Sequence, residues 1–122
     1  MRYICLVHAD PARFEAQTAE QKADLDRRSL AYDRELTDKG HYVISEAIQD
    51  GSTAVLVRSR QGRVSNTDGP YMETKEQMAG FILIEARDMN EAVRLASAIP
   101  MAEMGTIEVR PIYDIPIPPE QA

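Results

Sequence analysis

The chain has 122 residues, 43% of them apolar and 28% charged, and carries a formal net charge of −6. A chain of this length is one domain that can bury about two-thirds of its unfolded surface, so neither metals nor disulfides are needed to hold a core. The lack of a basic block argues against a nucleic-acid partner, and the short apolar runs argue against a membrane span.

Cys5 is the single cysteine. It excludes an internal disulfide and fits a reducing compartment. With no charged-then-apolar leader pattern at the N-terminus, the expected localisation is cytoplasmic.

The segment Tyr3-Ile4-Cys5-Leu6-Val7 is apolar on both faces, which predicts a central strand covered on both sides. Asp10-Pro11 ends it, and a short helical piece is expected around residues 12–16. Thr18 with Gln21 fits a capping box, and Gly40 fits a left-handed C-terminal cap, so a long helix is predicted over 18–39. Leu25, Ser29, Tyr32 and Leu36 form its stripe, with Leu30 on the opposite side.

The runs Tyr42–Ile48 and Thr53–Arg58 are β-rich, and Asp50-Gly51 between them predicts a hairpin. Gln61-Gly62 then turns the chain into a short strand over 63–66, and Asp68-Gly69-Pro70-Tyr71 is a loop. Phe81-Ile82-Leu83-Ile84 is a second strand apolar on both faces. Asp88 and Glu91 form a second capping pair. The helix that follows carries the stripe Met89, Ala92, Val93, Ala96 and Ile99 and is stopped by Pro100. Thr106–Tyr113 is the last strand, closing a domain over 1–113. The tail over 114–122, with Pro116, Pro118 and Pro119, cannot donate to a ladder and reads as extended.

This order predicts an α+β, ferredoxin-like β-α-β-β-(β)-β-α-β fold. Helices cover one face of such a sheet, yet the central strands are apolar on both. A homodimer with bare faces packed together resolves the mismatch.

The element Thr67-Asp68-Gly69-Pro70-Tyr71, with Glu73-Thr74-Lys75-Glu76-Gln77, Gly80-Phe81 and Gly105-Thr106-Ile107-Glu108-Val109-Arg110-Pro111, resembles the YCII-related superfamily in its DGPF-domain branch. Tyr32 and Gly40 also fall where that family has a tyrosine and a glycine. Tyr71 departs from the usual phenylalanine. The resemblance implies a dimeric α+β barrel and no particular reaction. It also implies a link to extracytoplasmic-function sigma factors, of which members of this branch look like companions. More distant relatives carry a His–Asp pair in a cleft, which does not map cleanly here, and nothing known of the family is carried onto His8.

The candidate site residues each have a bland reading beside a chemical one. Asp68 is either a turn residue or a general base presented to a cleft. Glu73 and Lys75 share a face if extended, with Glu76 opposite. They are either a solvated approach to the next strand or a ligand-binding pair. Glu108 and Arg110 share one face of the last strand. Arg110 is expected to be partly withdrawn from water and to contact Asp68, Glu73, Glu76 or Glu108, or else to hold an anionic ligand. Tyr32 is core, or its hydroxyl reaches the cleft. His8, near the sheet rim, is hydrogen-bonded filler or, with Asp68, one of the candidate catalytic groups. His41 suits a helix end, and Cys5 reads as inert core.

No metal-ligand spacing of histidines or cysteines occurs. A carboxylate-only set from Asp68, Glu73 and Glu76 is the one metal alternative. No phosphate loop occurs either, and no cofactor is expected. Three readings of function follow: a dimer that binds a small molecule or a protein, with sigma-factor-linked regulation as one setting; a small enzyme using acid–base chemistry on a polar substrate; or a purely structural module.

Overall fold

The computed structural model describes residues 1–121. Strand β1 (Arg2–Ala9) alternates strictly: Tyr3, Cys5, Val7 and Ala9 are buried, whereas Ile4, Leu6 and His8 are half-buried. Alternation follows from the two-residue period of a strand. Helix α1 (Pro11–Glu15) is capped by the Asp10 carboxylate, which accepts the Ala12 N–H at 3.0 Å.

Helix α2 (Ala19–Asp38) opens on both halves of the expected capping box. The Gln21 N–H donates to Thr18 Oγ1 at 3.1 Å, and the Thr18 N–H donates to Gln21 Oε1 at 2.9 Å. At the other end Gly40 takes φ +79, a left-handed conformation that costs glycine little. Leu25 and Leu36 bury the stripe, and Leu30 on the far side is 62% exposed.

Strands β2 (Tyr42–Ala47) and β5 (Gln77–Glu85), with β6 (Gly105–Pro111), complete a four-stranded antiparallel sheet in the order β2-β5-β1-β6. Helix α3 (Met89–Ser97) joins β5 to β6. The core lies between the sheet and the helices. Leu36 from α2 and Ala92 and Ala96 from α3 meet Tyr3, Cys5, Ile82 and Ile84 from the central strands. Leu36, 2% exposed, gains about 2 kcal/mol from that burial. This is the α+β, ferredoxin-like arrangement expected.

Three expectations need correction. Asp50-Gly51 does not join a hairpin. The favoured two-residue hairpin turns require positive φ at the first central position, and Asp50 sits at φ −54. It caps a 3-10 turn over Gly51–Thr53 instead, accepting the Ser52 N–H at 3.2 Å. The hairpin forms where Gln61 (φ 53) and Gly62 (φ 76) supply the backbone. It pairs β3 (Val55–Arg60) with β4 (Arg63–Asp68) as a separate two-stranded sheet, almost wholly exposed.

At the start of α3, the Asp88 carboxylate accepts the Glu91 N–H as expected. The Glu91 side chain reaches one residue further back, to the Arg87 N–H at 2.9 Å. The α3 stripe buries Ala92, Ala96 and Ile99, while Val93 stays 50% exposed. Lastly, the final strand stops at Pro111, because Ile112 makes one more bond, to the Arg2 carbonyl, before the tail leaves the sheet. The tail's last residue, Ala122, lies outside the described residues.

The sheet face away from the helices carries Ile4 and Leu6 paired with Leu83 and Phe81. Ile44, 46% exposed, extends this apolar strip onto β2.

Candidate functional site

A cleft of about 750 Å³ opens between α2 and the β2–β5–β1 side of the sheet. Val7 and Ala9 from β1 and Ile82 from β5 line its floor. Leu25, Ser29, Tyr32 and Asp33 descend from α2, and Phe14 from α1 closes one side. Its width traces to small side chains. Ala47 and Ala79 stand where bulkier strand residues would fill the space, and Gly80 lets β2 approach closely beside it. A Cβ on Gly80 would sit 2.7 Å from the Glu46 carbonyl and 3.2 Å from the Ala47 Cα, so β2 backbone occupies the place of a side chain.

Five acidic residues line this cleft, and one of them, Asp33, is partly withdrawn from water. Asp33 Oδ2 accepts from Ser45 Oγ at 3.4 Å, and Ser45 Oγ is 2.7 Å from the Tyr42 hydroxyl. The arrangement is a relay from Tyr42 on β2 through Ser45 to a carboxyl on α2. Burial raises the Asp33 pKa above its ordinary value, with the Ser45 hydrogen bond opposing the rise. Tyr32 contributes its ring to the wall, but its hydroxyl donates to the Leu95 carbonyl at 2.6 Å, tying α2 to α3. That hydroxyl is spent on structure. Burial, then the nearby Glu35 and Cys5, raises its pKa.

The residues singled out from the sequence lie elsewhere, Tyr32 excepted. Asp68 is the exposed last residue of β4, on the detached hairpin. Glu73 and Lys75 are exposed on the connection to β5, which is not extended strand, so the shared face expected of them does not exist. Glu76 accepts from Thr106 Oγ1 at 2.8 Å at the start of β6. None of these lines the cleft. Asp68, Lys75 and Arg110 do not converge on it, an arrangement that would have favoured a ligand-binding or catalytic role for them.

His8 and Arg110 meet instead on the far sheet face, through Glu108. His8 Nε2 is 2.9 Å from Glu108 Oε1, and Arg110 Nε donates to Glu108 Oε2 at 2.7 Å. Arg110 and then His8 lower the Glu108 pKa. The Arg110 side chain is 67% exposed, not withdrawn from water as its strand position suggested. Val109 takes the inward face, so Arg110 projects from the uncovered one. His8, beside β6, thus lies behind the sheet from the cleft and pairs with Glu108.

Asp33 and Ser45 escaped the sequence reading. The signal was present: Asp33 stands four residues after Ser29 and eight after Leu25. A carboxylate at an inward helical position is rare unless it has a partner.

The sheet order, the two main helices on one face and the cleft beneath the longer one define a ferredoxin-like α+β protein with a ligand-sized cavity. The YCII-related domain matches residues 1–116, and the chain belongs to that family. It is similar to an uncharacterised protein of Rhizobium meliloti (strain 1021), with 30% identity over 114 residues, 92% of each chain.

Proposed function

We propose that the protein binds one small, mainly apolar molecule in the cleft under α2, with Asp33 as its polar anchor. The single observation that carries this is a cavity of about 750 Å³ with apolar walls and a partly desolvated carboxyl held by Ser45. Small-molecule sites are typically clefts of about 300–1,000 Å³ with few polar groups. A filled, dry core would have favoured a purely structural module.

Titration of the labelled protein with small aromatic fragments, followed by amide NMR, tests the reading. Shifts should cluster at Leu25, Ser29, Ser45 and Ile82, and Ser29→Trp should abolish them by filling the space. Shifts confined to the far sheet face, or none, would overturn it.

The relay Tyr42–Ser45–Asp33 favours acid–base catalysis on the bound molecule as a second reading, because a carboxyl with a raised pKa moves closer to neutral operating pH. Loss of turnover in Asp33→Asn with binding retained would separate catalysis from binding.

We also infer a homodimer formed through the sheet face that bears Leu6 and Phe81. The chain exposes 8842 Å², against about 6,600 Å² for a compact monomer of this mass. An isologous pair buries the same apolar strip on both chains, which a regulatory partner, sigma-factor-linked or other, does not. The Asp68-Gly69-Pro70-Tyr71 element supports assignment to the DGPF-domain branch.

A further inference from the structure

The cleft has a charge sign. Five carboxylates line it: Glu15, Asp26, Asp33, Glu46 and Asp50. No lysine, arginine or histidine does. Glu15 is the one that has a cation of its own, Lys22 at 3.6 Å. The others form no ion pair among the described residues. Asp33 has one carboxyl oxygen on Ser45, and its Oδ1 has no hydrogen-bond donor among the described residues. The carboxylates also do not converge: no three acids come close enough to hold a metal ion among the described residues. They ring an apolar hollow instead of enclosing a point.

We propose that the ligand of this cleft is an organic cation, an amine carried on an apolar body, with its charge toward Asp33 and the acidic mouth and its apolar part against Val7, Leu25, Phe14 and Ile82. This inference rests on the cleft being a binding site, as argued above, and adds the chemical class. An anionic ligand would meet the partly desolvated Asp33 carboxylate against apolar walls, with the exposed Asp26 and Asp50 at the rim. A neutral hydroxyl could donate to Asp33 Oδ1 but would leave its charge unbalanced. A cation satisfies both, and the net charge of −6 steers it in.

The molecule already shows this chemistry at the mouth. Lys22 Nζ lies 5.6 Å from the centroid of the Phe14 ring while paired with Glu15, and both of those partners line the cleft. Aromatic face plus carboxylate is the usual setting for an ammonium group.

Three probes of one shape test the proposal at neutral pH and low salt: 2-naphthylmethylamine, 2-naphthylmethanol and 2-naphthoate. Binding is followed by calorimetry, and location by amide NMR. The amine should bind about tenfold more tightly than the alcohol, as a charge-assisted hydrogen bond provides, and the carboxylate weakest. Raising the salt should narrow the gap. Asp33→Asn should remove most of the amine's advantage while the alcohol keeps its affinity, a comparison that also confirms the variant is folded.

Equal or stronger binding of the alcohol or the carboxylate in the cleft would overturn the cation and leave the cleft reading standing. If no probe shifts the cleft amides, both readings fall. A preference for the amine that survives Asp33→Asn unchanged would also overturn the proposal, because the anchor would lie elsewhere.

Discussion

Asp33 and Glu91 are both carboxyls on helices that pack against the sheet, and they respond to pH in opposite senses. Burial raises the Asp33 pKa, so the folded protein holds that proton more tightly than the unfolded chain does. The stability this adds is present at low pH and lost as pH climbs from the ordinary 3.8 through the raised value. Asp33→Asn should therefore gain in melting temperature relative to the parent as pH rises from about 3 to 7. A difference that stays flat across that range would contradict the burial argument. Glu91 takes the Arg87 N–H and guanidinium, which lower its pKa, so its contribution is present above 4.5 and lost as pH falls. Glu91→Gln should cost most at neutral pH and least in acid. Cys5 is fully buried on β1, and burial pushes its thiol up to about 11. A thiol reagent at pH 8 should leave Cys5 unmodified in the folded protein and modify it once denaturant is added. Rapid labelling without unfolding would mean that the core opens locally.

At the scale of elements, local chemistry decided which features the sequence disclosed. The α2 boundaries were legible because Thr18 and Gln21 satisfy each other's backbone donors without any tertiary help. Thr18→Ala should cost about 1 kcal/mol, a melting drop of about 3–6 °C, read by thermal circular dichroism. No drop would mean that the box is redundant with packing. The Gln61-Gly62 turn was read correctly, but Asp50-Gly51 was misread as a hairpin because Asp-Gly is a statistical turn signal and Asp50 does not adopt the backbone conformation the turn needs. The two central strands were read correctly from their apolar runs, but β3 and β4, expected in the same sheet, pair only with each other. The cleft was not legible. Its walls come from residues far apart in sequence, and its space is left by the alanines, whose role shows only when β2 and α2 are in place. The motif residues Asp68, Glu73 and Lys75 drew attention by chemical type, yet they sit on segments the sheet does not gather.

For the whole molecule, the uncovered sheet face and the excess surface lead to one expectation: light scattering at micromolar concentration should give twice the 13.7 kDa chain mass. Leu6→Asp, which places a charge at the centre of that face, should yield a folded monomer. A monomeric parent would contradict the homodimer. The β3–β4 hairpin bears on a different property. Its ladder bonds only to itself, its outward valines Val55, Val57 and Val64 are each more than half exposed, and it hangs from the body by the segments around Gly51 and Pro70. An isolated two-stranded ribbon is marginal in water. It should therefore open without the sheet opening, and amide exchange measured there should run fast while β1 exchanges only on global unfolding. Segments uncoupled from the cooperative unit are where a chain accepts new sequence, so the Gln61-Gly62 tip is the place to graft a peptide or a fluorophore without disturbing the rest of the fold.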